Sequence, residues 1–151
     1  MLELATKKDR FDVNRLARQV HKMHVQWRPD LYQMPELLFP EELYSELLKN
    51  RELYVAKLDG AVIGFAWVRI RTAEGVGLVT RKVMLINQVC VDEALRNHGI
   101  GTRMMEEVRV LARAFGCTDL QLSVYPQNDE AVSFYQKCGF MIQSINMQRK
   151  V

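Results

Sequence analysis

The residues best suited to chemistry lie in the stretch Arg96-Asn97-His98-Gly99-Ile100-Gly101, between an apolar run ending at Val91 and an amphipathic run beginning near Ile100. A junction from strand to helix presents unpaired N–H groups and the positive end of a helix dipole, a setting that favours phosphate. Glycines at 99 and 101 let the backbone approach an anion and take up positive φ where it is needed. Arg96 can add a charged contact to the same anion. Taken alone, the loop fits an ordinary tight turn as well, because short glycine motifs are weak evidence. It lacks the Gly-Lys-Ser/Thr of a nucleotide P-loop and the third glycine of a dinucleotide fingerprint.

Other reactive side chains are scattered. Tyr135 shares a helical stripe with Ala131 and Phe134, which fits a core aromatic. Asn128 precedes Asp129 and Glu130 and suits a helix cap. Cys90 falls within a strand with no histidine partner in view and reads as a small core residue. His24 falls on the apolar face of the first helix and reads as a half-buried histidine rather than a base. His98 either touches a phosphate or is solvated. Cys90, Cys117 and Cys138 are odd in number and widely spaced, so neither a disulfide framework nor a metal site is expected.

The elements that must position these residues follow from periodicity. Leu2 to Ala5 can form a short strand. Val13, Leu16, Ala17, Val20, Met23, His24 and Trp27 recur at helical spacing up to Arg28-Pro29. A second helix starts at Pro40 and buries Leu43, Tyr44, Leu47 and Leu48. Leu53 to Leu58 and Ala61 to Arg71 flank the hairpin signal Asp59-Gly60, and a third strand runs from about Arg81 to Val91. A helix from Ile100 to Phe115, with Ile100, Met104, Val108, Leu111 and Phe115 as its buried stripe, stops at Gly116. Leu120, Leu122 and Val124 alternate as a strand, and the strand–helix–strand order predicts a parallel pair. A short helix follows Asn128, and Phe140 to Arg149 can return as a final strand. The expected fold is α/β, with a mixed, mostly antiparallel sheet flanked by helices and one domain over residues 1–151.

The 151 residues are 48% hydrophobic and 26% charged, which is the composition of a folded domain rather than a disordered chain. The net charge of +3 is spread without a basic stripe, so no nucleic acid partner is expected. The longest apolar run, Ala61 to Val68, is too short to span a bilayer, and the first residues lack a signal-like apolar core. A cytoplasmic location with no membrane association is the expectation.

In these motifs the chain resembles the GNAT superfamily of N-acetyltransferases. The family's acetyl-CoA motif, (Arg/Gln)-x-x-Gly-x-(Gly/Ala) after a strand, is matched by Arg96, Gly99 and Gly101. A second signature is matched by Asn128, Ala131, Phe134, Tyr135, Gly139 and Phe140. The resemblance implies acetyl transfer from acetyl-CoA, as cosubstrate, to a primary amine through a ternary complex, with no metal. It implies a cofactor site over Val89, Cys90, Val91, Arg96, Asn97, His98, Gly99, Ile100, Gly101, Thr102, Asn128 and Tyr135. In it, amides 96–101 hold the pyrophosphate and the main chain of Val89 and Val91 pairs with the pantetheine arm. It further implies that strands 83–91 and 119–124 splay around the cofactor, and a bulge near Asn87 to Val89 would help aim an N–H at the thioester carbonyl. Tyr135 then becomes the acid toward the departing thiolate.

Where many relatives carry a carboxylate base, this chain has Asn87 and Gln88. These either orient water or acceptor or are polar residues on an exposed strand face. The acceptor region includes Trp27 and Tyr32 and would suit a small-molecule amine or a peptide or protein amine; the resemblance also allows a homodimer. The alternative to an enzyme is a CoA-binding regulatory or interaction module of the same fold, raised by the missing carboxylate.

Overall fold

The computed structural model describes residues 1–151. The elements are β1 (Leu2–Leu4), α1 (Arg10–Trp27), α2 (Glu41–Lys49), β2 (Leu53–Leu58), β3 (Ala61–Ala73), β4 (Arg81–Val91), α3 (Ile100–Ala114), β5 (Asp119–Leu122) and α4 (Asp129–Lys137). Short 3-10 turns at Lys7–Asp9 and Glu93–Leu95 precede α1 and α3. The strands lie in the order β1-β2-β3-β4-β5. Every neighbouring pair is antiparallel except β4 and β5, which the α3 crossover makes parallel. The Asp59-Gly60 turn has φ of 50° and 81°, the paired positive values that match the twist of a two-residue hairpin.

Helices cover both faces. On one, α1 and α2 with Phe39 bury Leu53, Val55, Phe65 and Cys90. On the other, Met105, Val108 and Ala112 of α3 cover Tyr54, Ala66, Val68, Met84 and Ile86. The connection from α1 to α2 is fixed by buried Asn14. Its Oδ1 accepts from the Phe39 N–H at 2.8 Å, and its Nδ2 donates to the Phe39 and Arg10 carbonyls at 3.1 Å. That one amide satisfies both backbone groups of Phe39, which has no helix or strand to pair with.

Two expectations are corrected. The α3 stripe holds at Met104 and Val108, but Phe115 is 41% exposed, because the helix ends at Ala114 and Phe115 sits past the last turn. The segment from Phe140 to Arg149 joins no ladder, and residues 141–151 are all exposed. Its alternating apolar residues suit a strand, but the sheet stops at the four-residue β5, whose only partner is β4.

Candidate active site

The parallel ladder between β4 and β5 is short. It runs from Val83–Asp119 to Ile86–Leu122 and stops. At that point β4 carries a bulge: Trp67 faces Gln88 and Val68 faces Ile86, leaving Asn87 as the extra residue. The bulge has a consequence for side-chain direction. Ile86 packs on the α3 face and Cys90 on the α1 face, although residues four apart in a regular strand share a face. The extra residue makes the switch, in the place where the sheet opens.

Beyond the bulge, backbone direction follows from one bond. The Asp92 N–H donates to the Ile63 carbonyl at 2.8 Å. Alternation then turns the main-chain groups of Cys90 and Gln88 toward β3, and those of Val89 and Val91 toward the side where β5 has departed. Cys90 therefore has no free main-chain group. Its thiol lies 3.4 Å from the Leu16 carbonyl, and burial pushes its pKa up to about 12, so it stays protonated.

The loop beyond β4 is held from α1. Asp92 accepts from Arg15 at 2.7 Å, from Gln19 at 3.3 Å and from the Ala94 N–H at 3.2 Å, and Gln19 accepts from the Glu93 N–H at 2.9 Å. The Arg15 guanidinium keeps the Asp92 carboxyl below the usual carboxylate range. Arg96 turns back so that its Nε donates to the Val91 carbonyl at 3.2 Å, occupying that carbonyl. Nδ1 of His98 lies 2.8 Å from the Arg96 carbonyl, so this nitrogen carries the proton. Asn97 and Gly99 have φ of 65° and 78°. These left-handed residues turn the chain into α3, and no N–H of residues 97–102 has a partner within the chain. The first turn of α3 has no acidic residue. Such a row of free donors at a helix N-terminus fits a pyrophosphate. Gly101 serves packing instead. A Cβ there would meet the Phe134 ring at 3.1 Å, so this glycine lets α3 and α4 approach.

α4 brings the second set. Asn128 caps it, accepting from the Ala131 N–H at 3.1 Å. Tyr135 packs against Phe134 and Phe140, with ring centroids at 5.4 and 5.7 Å. Burial raises its pKa to about 12. Its hydroxyl bonds to nothing in the chain, and no fully buried side-chain polar atom lacks a partner. The phenol oxygen is therefore not sealed off from solvent, although its ring is packed.

Above the opening lies an aromatic group. His24 and Trp27 from the last turns of α1 meet Tyr32 and Tyr125, and the two tyrosine hydroxyls are hydrogen-bonded. Trp27 and Tyr32 belong to the expected acceptor region, whereas sequence reasoning misses Tyr125 and Asp92. Asp92 followed by Ala94 is a local capping signal that could have found the aspartate; Tyr125 meets α1 only through the tertiary fold. A cleft of about 380 Å³ adjoins the group and is lined by Arg28, Tyr125, Gln127, Asn146, Gln148 and Lys150. Asn87 and Gln88 sit on the β4 lip of the opening.

The family profile described as acetyltransferase (GNAT) matches residues 18–140. This chain belongs to that family. With membership comes the activity class, acetyl-CoA-dependent acyl transfer. The chain is 30% identical over 102 residues to the peptidyl-lysine N-acetyltransferase YjaB of Salmonella typhimurium, an alignment covering 68% of this chain and 59% of that protein. It is 33% identical over 82 residues to glucosamine 6-phosphate N-acetyltransferase 1 of Oryza sativa, covering 50% of this chain and 48% of that one. Among solved structures, a mutant of the BH1408 protein from Bacillus halodurans superposes with a TM-score of 0.94 at 25% identity, covering 100% of this chain and 99% of the other. The aminoglycoside N-acetyltransferase AAC(6')-Iy in complex with CoA superposes with a TM-score of 0.72 at 19% identity, covering the same shares, and shares the fold. No helix is long and apolar enough to cross a membrane.

Proposed function

We propose that this chain, as a single cytoplasmic domain, moves an acetyl group from acetyl-CoA to a primary amine within a ternary complex. The observation that carries the reading is the juxtaposition at the sheet opening. The free N–H row of residues 97–102 and the outward main chain of Val89 and Val91 border the space between β4 and β5, and Cys90 among the near neighbours of Tyr135 supports setting its unpartnered hydroxyl at the same space.

Each residue has a physical role. Amides from Asn97 to Thr102 hold the pyrophosphate, with the free end of the Arg96 guanidinium beside them. The Val89 N–H and C=O pair with the pantetheine arm like an added strand, and Val91 offers its N–H, its carbonyl already accepting from Arg96. At the bulge, the Val89 N–H serves as donor to the thioester carbonyl as negative charge grows on its oxygen. Asn128 has a free amide nitrogen for a further polar contact. Tyr135 donates a hydrogen bond to the departing sulfur. Holding both reactants in one cleft supplies much of the acceleration.

The acceptor enters from the α1 side, between Asn87 and Gln88 on one lip and Trp27, Tyr32 and Tyr125 on the other. The Oryza relative is named for a phosphorylated amino sugar and the Salmonella relative for a lysine side chain. Both are primary amines, and both small-molecule and peptide acceptors belong in a test. The absence of a carboxylate at Asn87 and Gln88 favours the second reading, a CoA-binding module without turnover. A panel of amines and peptides with acetyl-CoA separates the two. Transfer reads out as free CoA thiol matched by N-acetylated product, whereas acetyl-CoA binding with no product across the panel supports the module.

A further inference from the structure

We infer that His24 accepts the proton released by the acceptor amine, and that Trp27, Tyr32 and Tyr125 receive that amine as its ammonium ion. The inference rests on the acetyl-transfer reading and deepens it, by naming the base that Asn87 and Gln88 cannot supply.

The position comes first. α1 crosses β4 near its end, where Leu16 meets Cys90 and Gln19 meets Glu93. His24 lies five residues beyond Gln19, about 7.5 Å further along the helix axis. There it faces Tyr125, which follows β5 by three residues on the other lip. The His24 ring is centred 5.3 Å from Tyr32, 5.7 Å from Tyr125 and 6.1 Å from Trp27. It therefore bridges the two sides of the opening through which an acceptor must reach the thioester.

The chemistry comes second. Neither ring nitrogen of His24 has a hydrogen-bond partner in the chain, and no fully buried polar side-chain atom is unpaired, so both nitrogens keep access to solvent beside Tyr125, which lines the cleft. A histidine placed only for packing would have its donor committed, as His21 has: its Nε2 lies 2.8 Å from the Gln33 carbonyl. The titratable groups facing His24 are His21 from α1, Tyr32 from the connection and Tyr125, and beyond Tyr125 the cleft carries Arg28 just past the end of α1, with its partner Asp30, and Lys150 from the C-terminal segment. Arg28 and Asp30 neutralise one another at 2.8 Å. Burial, with a smaller contribution from His21, holds the His24 pKa below its ordinary value. The ring is therefore neutral at physiological pH and able to accept. Three aromatic rings stand around it, and a ring that turns its face to the guest favours an ammonium over a neutral amine.

The proton count closes. The ammonium gives one proton to a ring nitrogen of His24, which later passes it to solvent. The freed nitrogen lone pair forms the N–C bond to the acetyl carbon as the C–S bond breaks. The second proton leaves the nitrogen for solvent, and the departing thiolate, stabilised by the hydrogen bond from Tyr135, takes up a proton from solvent. The products are the acetamide and the CoA thiol.

The test compares wild type with His24→Asn, using a primary amine with a pKa of about 10.4. The rate constants kcat and kcat/KM are read between about pH 7 and pH 9. With a neutral base receiving an ammonium, wild-type kcat/KM stays level across this range. Without the base only the neutral amine reacts, so His24→Asn is slower by roughly 10²- to 10⁴-fold at the lower end and rises about tenfold per pH unit. Two further readouts go beyond activity. The His24 ring proton titrates below the ordinary histidine range by NMR and shifts on adding the amine, and acetyl-CoA affinity by calorimetry is unchanged in the variant. Imidazole restores part of the rate to His24→Ala. A variant with the wild-type level and profile overturns the inference and leaves the transferase reading standing. Loss of rate together with acetyl-CoA affinity, without imidazole rescue, assigns His24 to packing and overturns it as well. A wild type that acetylates no amine overturns both.

Discussion

Replacing Tyr135 by Phe removes one oxygen and tests a specific division of labour. The hydroxyl makes no hydrogen bond within the chain, while the ring packs between Phe134 and Phe140. Phe keeps that packing, so stability changes by no more than about 0.5 kcal/mol. Catalysis is affected differently. With its pKa raised to about 12, the phenol stays protonated throughout the working range. Complete transfer of its proton to a thiolate of ordinary pKa is uphill by about 5 kcal/mol. Hydrogen-bond donation therefore sets the scale: a bond to a charged acceptor is worth about 1.5–3 kcal/mol, or roughly 10- to 150-fold in kcat. The assay is continuous detection of CoA thiol under saturating acetyl-CoA, with a thermal melt and calorimetric acetyl-CoA binding on the same sample. The expected result is a fall in kcat of that size with the melt and the affinity preserved. A kcat within twofold of wild type, or a loss tracked by an equal loss of stability, refutes the role.

Three more substitutions probe the scaffold. Gly101→Val drives a branched side chain into the Phe134 ring, which a Cβ alone already meets at 3.1 Å; a cost of about 1–3 kcal/mol is expected in denaturant melts, with weaker acetyl-CoA binding by calorimetry. Asp92→Asn weakens the clamp from Arg15 and Gln19 by about 1–2 kcal/mol, the lower part of the range because the pair is partly exposed. Since the Asp92 pKa is depressed in the fold, its contribution is complete above the unfolded carboxyl value and is lost as pH falls through the folded one. The stability gap between variant and wild type is thus full near neutrality and closes below about pH 4. Asn14→Ala strands the buried N–H and C=O of Phe39 and is expected to cost about 2–4 kcal/mol in chemical denaturation. Asn14→Asp does no better, because a carboxylate cannot donate to the two carbonyls that Asn14 Nδ2 serves.

Much of the fold and site is legible in the sequence because the signals are local. Gly99 sits at positive φ where a strand turns into a helix, Asn128 caps the helix that follows it, and Asp59-Gly60 makes its hairpin. The bulge expected between Asn87 and Val89 falls on Asn87. Gly101 is legible in identity but not in purpose, since its contact with Phe134 depends on how α3 and α4 pack. The aromatic group is not legible. His24 and Tyr125 are about a hundred residues apart, and helical spacing alone places His24 on an apolar face, where a packing role is the ordinary outcome. Periodicity also overstates the last segment, because alternation marks a residue pattern and says nothing of whether a neighbouring strand is there to pair.

The central claim is that acetyl-CoA lies where β4 and β5 separate, with its pyrophosphate on the start of α3. Amide NMR of the labelled protein, titrated with acetyl-CoA, addresses it residue by residue. The account predicts the largest shifts at the N–H groups of Val89, Val91 and Asn97 to Thr102, with smaller ones at Asn128 and Tyr135. Saturable binding that leaves Gly99 to Thr102 unmoved and shifts amides elsewhere would contradict it.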